Sequence, residues 1–498
     1  KKYPTANSSF GALRISANNE SDQKKEGTIV ISSQMVENTY TLLLNPFEKK
    51  IVDIPIYLHN DYVYATVRFG ADTVSENMSK ESGKNFENGV LEIKSPGKGQ
   101  LFFSYGGVDS LDTKCIVERI ELEELPTDLF CLFSYQLIVI PSDIEATLTT
   151  EQFQLLKSYI GFGGKVVLIE ATENLPNRWK TLENNAWGSV HSIKKSEKSE
   201  SLDFINIMSN YNKFDPQGGL FKNQELSFHN IPTSKSIYLL IVLLFIVAIG
   251  PLNYYILNKH NKKFLIFFTS PIIAVIFSVL LIGVFFIKEG FYKYYNGISL
   301  TMIYPQTNQA LVSIQNGVYS STVSGAFEKP RNGFYLPLGY GRHGEKYEIN
   351  IKNKAYLSGA FVKERKINNF GEIQLVECHS KITIRRDGKQ IYAKNGFGTK
   401  QKLVIIDYPN HLIFESNIAV EPDHEQLLES SQFFGLDVHI KDKIYDKYIS
   451  SFQNFLMDMP KGLVFIAYSN TNEFIPFREK DGYLQGDNLH LIFGVIKE

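Results

Sequence analysis

Asp143 and Glu170 are the residues of this chain best placed to do chemistry. Each closes a short, continuous apolar run. Leu137-Ile138-Val139-Ile140 ends at Pro141-Ser142-Asp143, and Val166-Val167-Leu168-Ile169 ends at Glu170. Such runs read as strands buried on both faces, and open α/β sheets bind ligands beyond the carboxyl ends of their strands. A carboxylate pair there would suit a hydrolase or a carbohydrate-acting enzyme of the cell envelope. Gly163, Gly164 and Glu173 are expected to line the same crevice. The competing reading is structural: an acidic side chain after a strand accepts hydrogen bonds from backbone N–H groups of the turn and binds nothing else.

Other motifs fail on their spacing. Gly339-Tyr340-Gly341-Arg342-His343-Gly344 has the GxGxxG pattern, but a period-2 strand follows it where a dinucleotide site needs a helix. His424-Glu425 could open an HExxH zinc helix, but Leu428 stands where the second histidine is required. Gly164-Lys165 is followed by Val166, and its glycine spacing does not fit a phosphate loop. There is no GxSxG elbow. The three cysteines, Cys115, Cys131 and Cys378, are widely spaced and odd in number, so they read as buried apolar residues. No catalytic residue, metal site or cofactor is therefore assigned. A net charge of −1 gives no argument for nucleic acid as a partner.

The elements that must carry Asp143 and Glu170 are well marked. Thr149 is a helix N-cap, Gln152 completes a capping box, and Leu148 and Phe153 occupy the staple positions. Phe153, Leu156, Tyr159 and Ile160 fall on one helical face, and Gly163-Gly164 stop the helix. Strand, helix, glycine pair and strand make a βαβ unit, so residues 113–232 read as an α/β domain. Residues 1–26 are polar and read as a partly ordered leader. Residues 27–112 read as an antiparallel β-sandwich, with alternation at Ile54-Ile56-Leu58 and Tyr62-Tyr64-Thr66-Arg68 and further strands at Leu91-Glu92-Ile93 and Leu101-Phe102-Phe103. Residues 297–498 read as a β-rich domain, from the alternation of Tyr347-Ile349-Ile351 and Ile382-Ile384-Arg386. Two helices are expected in it, at 423–434 and 442–457, before a last strand at Leu463–Ala467.

Between these domains, Ile237–Leu257 and Phe264–Ile287 are uncharged and apolar, and only Asn258–Lys263 separates them. Each run can cross the ~30 Å hydrocarbon core as a helix, so 236–288 reads as a transmembrane hairpin with the lipid bilayer as its partner. Lys259, His260, Lys262 and Lys263 crowd the short loop, and positive charge stays cytoplasmic. Both large domains are then extracytoplasmic, at the bacterial cell (inner) membrane, and an export signal or first helix ahead of Lys1 is expected. The inverted hairpin is the alternative. Gly250-Pro251 and Ser270-Pro271 lie at similar depths and predict irregular helix geometry. Asn253 is expected either to bond Ser270 or a backbone carbonyl within the hairpin, or to dock with Gly250, Pro251, Tyr254, Ser270 and Pro271 on another subunit. Tyr254, Tyr255, Tyr292, Tyr294 and Tyr295 fit an aromatic belt.

Gly250-Pro251-Leu252-Asn253-Tyr254-Tyr255-Ile256-Leu257 resembles a G-P-x-N-Y signature of large, uncharacterised bacterial membrane proteins. In that group a β domain and a glutamine-amidotransferase-like α/β domain precede the signature helix, and a second helix and a β domain follow. Leu148–Gln152 with Gly163–Leu168 looks like the amidotransferase-like part, and Gly462–Tyr468 like the strand near the end. The resemblance implies a multidomain α+β membrane protein: β-sandwich, amidotransferase-like domain, transmembrane hairpin and C-terminal β-rich domain. It implies a fold and not a chemistry. Cys115 and Cys131 lack the flanking glycines of an amidotransferase nucleophile, and His191 is followed by Ser192 and Ile193, with no His-x-Glu pair. Proteins of this group often accompany ATP-binding-cassette (ABC) transporters. The expected function is thus a non-catalytic accessory subunit with a permease and an ATPase as partners. An envelope enzyme using Asp143 and Glu170 is one alternative. An envelope scaffold or sensor is another, though the six-residue loop is too short to hold a signalling domain.

Overall fold

In the computed structural model the chain is a mixed α+β protein, rich in strands, with one large curled sheet and two long apolar helices. The structure describes residues 10–33, 36–57, 62–70, 72–79, 86–94, 114–170, 176–180, 182, 187–194, 235–288, 293–320, 327–329, 333–337, 347–351, 355–358, 367–407, 410–432, 463–470, 483–485 and 489–496.

Six strands open the chain: β1 (Phe10–Asn18), β2 (Lys25–Ser33), β3 (Val36–Leu44), β4 (Lys49–Tyr57), β5 (Tyr62–Phe69) and β6 (Asp72–Ser79). β1 and β4 form an antiparallel ribbon, Phe10 opposite Tyr57 and Asn18 opposite Lys49. The alternation of each strand sends Leu13, Ala17, Ile54 and Ile56 from the ribbon against Ile29, Ile31, Leu42 and Leu44 of β2 and β3, which closes a core between two layers. The expected leader is corrected here, since residues 10–18 are a ribbon strand with Ala12, Leu13 and Ala17 buried. Arg14 of this strand is buried and forms a two-pronged pair with Asp53, Nε to Oδ1 at 2.8 Å and one terminal nitrogen to Oδ2 at 3.0 Å. The same guanidinium donates to the Glu124 carbonyl, tying the ribbon to the layer beneath it.

That layer is a five-stranded parallel sheet of β7 (Phe86–Ile93), β8 (Lys114–Ile120), β9 (Leu137–Pro141), β10 (Lys165–Glu170) and β11 (Ser189–Lys194), in the order β8-β7-β9-β10-β11. The strand at Leu91–Ile93 thus belongs to this sheet and not to the N-terminal sandwich, so the expected boundary at 112/113 cuts through the sheet. Among the described residues four α-helices accompany it: α1 (Leu129–Leu132), α2 (Ser142–Glu145), α3 (Thr150–Gly161) and α4 (Asn177–Lys180). The capping box that starts α3 is formed, with Thr149 Oγ1 accepting from Gln152 N and Gln152 Oε1 from Thr149 N. Leu156, Tyr159 and Ile160 are buried on the sheet, each contributing about 2 kcal/mol of apolar burial. The chain leaves α3 through Gly163, at φ +107°, and Gly164, where a Cβ would lie 2.3 Å from the Tyr159 ring.

The remaining strands are β12 (Lys293–Tyr304), β13 (Gln309–Ser320), β14 (Phe327–Lys329), β15 (Gly333–Pro337), β16 (Tyr347–Ile351), β17 (Ala355–Ser358), β18 (Ile367–Glu377), β19 (Ile382–Asp387), β20 (Gln390–Asn395), β21 (Lys402–Asp407), β22 (Leu412–Glu415), β23 (Glu425–Gln432), β24 (Leu463–Ser469), β25 (Tyr483–Gln485) and β26 (Leu489–Val495). Most join one sheet in the order β15-β18-β13-β12-β26-β24-β21-β22-β23-β20-β19, with β25 beside β12. Its central strands are buried on both faces because both are covered, with polar residues such as Ser299, Thr301, Ser313 and Gln315 among the buried ones. Leu300, Met302, Ile406, Ile466 and Phe493 share a core with α3 and the parallel sheet. Ile303, Val312, Ile405, Phe465 and Ile492 are covered by β19, β20 and β23, which curl over them with Ile382, Ile391 and Leu428.

Two expectations about this part change. The helix expected at 423–434 is β23, paired with β22 on one side and β20 on the other. Its Leu428 is buried and Leu427 exposed, a period of two imposed by the two ladders. β14, β16 and β17 leave the C-terminal sheet and extend the N-terminal one, where β16 runs parallel to β3 with Tyr347 opposite Val36. The helix expected at 442–457, the Gly339–Gly344 motif and the strand at Leu101–Phe103 lie outside the described residues.

The first apolar helix, Lys235–Val247, passes through a π-turn at Ala248–Leu252 around Pro251 and continues as Asn253–Lys259. The second, Ile266–Lys288, runs through Pro271 without a break. Both helices are long and apolar enough to cross a membrane, and only 11% and 0% of their most apolar stretches are buried in the protein. They touch each other, as at the Phe245 and Phe277 rings, 5.5 Å apart. Tyr254 and Tyr255 are exposed, but Tyr295 is not part of a belt: it is buried in β12, its hydroxyl 2.6 Å from Asn316 Oδ1. Tyr292 lies outside the described residues.

Candidate functional site

The parallel sheet reverses its direction of growth between β7 and β9, and ligands of such sheets bind at that switch, beyond the carboxyl ends. β9 ends there at Pro141, and α2 begins at once. Asp143 lies exposed in the first turn of α2. Glu170 closes β10 on the same edge, in register with Lys194 of β11. Gly163 and Gly164 do not join them. They precede β10, so the six residues of that strand place them about 20 Å away at the opposite edge of the sheet. The reason is topological: α3 runs antiparallel to the strands it connects, and its stop signal must lie at their amino ends. Glu173 lies outside the described residues.

The carboxyl edge instead carries a cluster that the sequence does not announce. Glu145, the last residue of α2, is buried, and its Oε1 accepts from Trp179 Nε1 at 2.6 Å and from the Arg178 guanidinium. Arg178 also donates to the Glu145 carbonyl and lies over the Phe153 ring, 4.9 Å from its centroid. Phe153 meets the buried Trp179 edge-on at 5.0 Å. These bonds join α2, α3 and α4 across the ends of β9 and β10. A carboxylate so engaged holds the edge together, and no separation in sequence pairs Glu145 with residues 33 and 34 positions on. Nearer the switch, Arg119 of β8 pairs with the buried Glu92 of β7 at 3.0 Å, and Lys94 with Glu121 at 3.2 Å.

The Cys131 thiol is unsuited to nucleophilic work. Cys131 and Cys378 are free and buried. Burial pushes the Cys131 thiol well above its ordinary range, and Asp128 and Asp53 push it the same way. Cys115 lies on β8. Burial draws Lys165, at the amino end of β10, down to about 8. Ser189 Oγ and His191 Nε2 lie 2.8 Å apart on the neighbouring strand. Among the described residues no group of three or more His, Cys, Asp or Glu side chains could hold a metal ion.

In the apolar hairpin the six residues considered together separate into two sets. Asn253 is buried, with Nδ2 donating to Ser270 Oγ at 3.3 Å and Oδ1 accepting from Thr269 Oγ1 at 3.0 Å. Thr269 is a partner the sequence reading missed. Gly250, Pro251, Tyr254 and Pro271 are exposed, and a Cβ on Gly250 would meet nothing within 4 Å. Asn253 and Ser270 therefore hold the hairpin together, while the outward residues form a surface. Neither the comparison with family models nor the comparison with curated proteins finds a match for this chain.

Proposed function

We propose that the protein is a membrane-anchored accessory subunit of a bacterial membrane complex, with its β-rich and α/β layers outside the cytoplasm. The observation that carries this reading is the hairpin: two apolar helices with their polar side chains paired inside and their apolar surface exposed. Both outer ends lead towards the folded layers, so those layers lie on one side of the bilayer. The lysines of the tip, Lys259, Lys262 and Lys263, favour the cytoplasm for the loop. The α/β layer supports an amidotransferase-like fold through its parallel strand order, and the buried, deprotonation-resistant Cys131 supports a non-catalytic role for it. The choice of an ABC transporter, with its permease and ATPase, rests on the resemblance of Gly250–Leu257 alone.

The test is affinity purification of the full chain in mild detergent, with identification of what accompanies it. Stoichiometric recovery of a polytopic permease and an ATPase supports the reading. Gly250→Leu is then expected to reduce that recovery, because Gly250 lies on the outer surface. Recovery of the chain alone overturns the subunit reading in favour of a scaffold or an envelope enzyme. Activity abolished by Asp143→Asn or Glu170→Gln would select the enzyme.

A further inference from the structure

The tip of the apolar hairpin carries Lys259, His260, Lys262 and Lys263 within five residues, and the sequence has no Asp or Glu between Glu225 and Glu289. All four tip residues are exposed. The turn that displays them is fixed by its own backbone. His260 N donates to the Ile256 carbonyl at 3.3 Å, Asn261 N to that of Asn258 at 3.1 Å, and Lys262 N to that of Leu257 at 2.9 Å. Asn261 makes the reversal at φ +55°, in the left-handed region that ends many helices. Leu265 N then donates to the Lys262 carbonyl at 3.0 Å as the second helix begins. The lysines are therefore held together at one end of the hairpin, where like charges repel until an anion answers them.

Apolar surface adjoins this charge. Tyr254 and Tyr255 are exposed about one helical turn before Lys259, and Phe264, Phe267 and Phe268 are exposed within about a turn and a half after Lys263. Phe267 is 80% exposed, so its ring is left to whatever surrounds the hairpin. A cationic turn that passes so quickly into exposed aromatic rings fits the phosphate layer of a bilayer, with the acyl chains beneath it. An acidic protein loop would satisfy the lysines and leave the rings in water. Zwitterionic lipids carry a phosphate too, but their own ammonium competes for it, so the lysines favour lipids with net negative charge.

We propose that the hairpin tip binds the headgroups of anionic phospholipids through Lys259, Lys262 and Lys263, with the aromatic residues among the upper acyl chains; this rests on the membrane-spanning reading of the hairpin. The test is native mass spectrometry of the full chain in mild detergent, titrated with dioleoylphosphatidylglycerol and with dioleoylphosphatidylcholine. The glycerol lipid is expected to bind about tenfold tighter. Lys259→Gln/Lys262→Gln/Lys263→Gln should abolish that preference, whereas Lys235→Gln/Lys288→Gln, at the opposite end of the hairpin, should retain it. Equal affinity of the unsubstituted chain for the two lipids, or a preference lost in the second variant and kept in the first, would overturn the proposal. A triple variant that keeps its lipid preference but loses a co-purifying protein would overturn it in favour of an acidic partner. Flotation with pure phosphatidylcholine vesicles separates the proposal from the reading beneath it, because the apolar helices alone suffice for it. A chain that floats without preferring the glycerol lipid sinks only the headgroup assignment, and a chain that does not float overturns both.

Discussion

The α/β layer and the N-terminal β layer touch at the β1–β4 ribbon, yet they are specified in different ways. In the α/β layer the signals are local. β9, α3 and β10 follow one another within 34 residues, and a capping box, an apolar face and a glycine stop mark each joint. In the N-terminal β layer hairpins such as β2–β3 and β5–β6 are local, but the pairs that complete the layer are remote. β1 pairs with a strand some 40 positions on, and β3 pairs with β16, more than 300 positions away. The difference is one of which forces decide. Helix caps and turns act within a few residues, whereas strand partners are chosen by register and by the face each strand must bury.

The largest way to break this contrast is at Arg14. Arg14→Leu leaves the half-buried Asp53 carboxylate without its partner, and a loss of about 3–5 kcal/mol is expected in denaturant unfolding. The double variant Arg14→Leu/Asp53→Leu should recover most of it. A silent Arg14→Leu would return residues 10–18 to the status of a leader.

His490 offers the next effect, within the large sheet. It is buried beside Ser299, Nδ1 to Oγ at 2.8 Å, and burial draws it down to about 4 from its ordinary 6.5. Below 6.5 the unfolded chain takes a proton that the folded one refuses. Stability is therefore full above 6.5 and falls by about 3 kcal/mol as pH is lowered to about 4. His490→Asn should flatten that part of the stability–pH curve. An unaltered slope would mean that His490 takes up its proton in the folded protein.

The smallest effect belongs to the local layer. Thr149→Ala removes the acceptor for Gln152 N and should cost about 1 kcal/mol, without altering which strands pair. Amide exchange restricted to α3 would check it. Exchange spreading to β1–β4 would show that the two layers are not separately specified.

The same contrast explains what could be read from the chain. Thr149, Gln152 and Gly163 mark α3 because their effects are local, and the two apolar runs are legible because length and hydropathy alone define them. β23 was misread because Glu425–Gln432 lacks strong β formers and takes its shape from ladders on both sides. Residues 1–26 read as a leader from their Asn, Ser and Lys content, which hides the buried Leu13 and Ala17 of β1, a strand whose partner lies some 40 positions on. At the carboxyl edge, Asp143 and Glu170 could be placed from the strand ends, but the Glu145–Arg178–Trp179 cluster could not, since a crossover brings it together. The glycine pair went to the wrong edge because its position depends on the direction of α3.

In the proposed topology the apolar hairpin spans a bilayer and holds the layered body on its outer side. The most direct measurement is labelling of single introduced cysteines with a membrane-impermeant maleimide in intact spheroplasts, at Asn261→Cys in the loop and Lys389→Cys in the exposed β19–β20 turn. Native Cys131 and Cys378 are buried, and the unsubstituted chain reports the background. Lys389→Cys is expected to be labelled at once and Asn261→Cys only after permeabilisation. The reverse pattern, or labelling of both in intact spheroplasts, would contradict it.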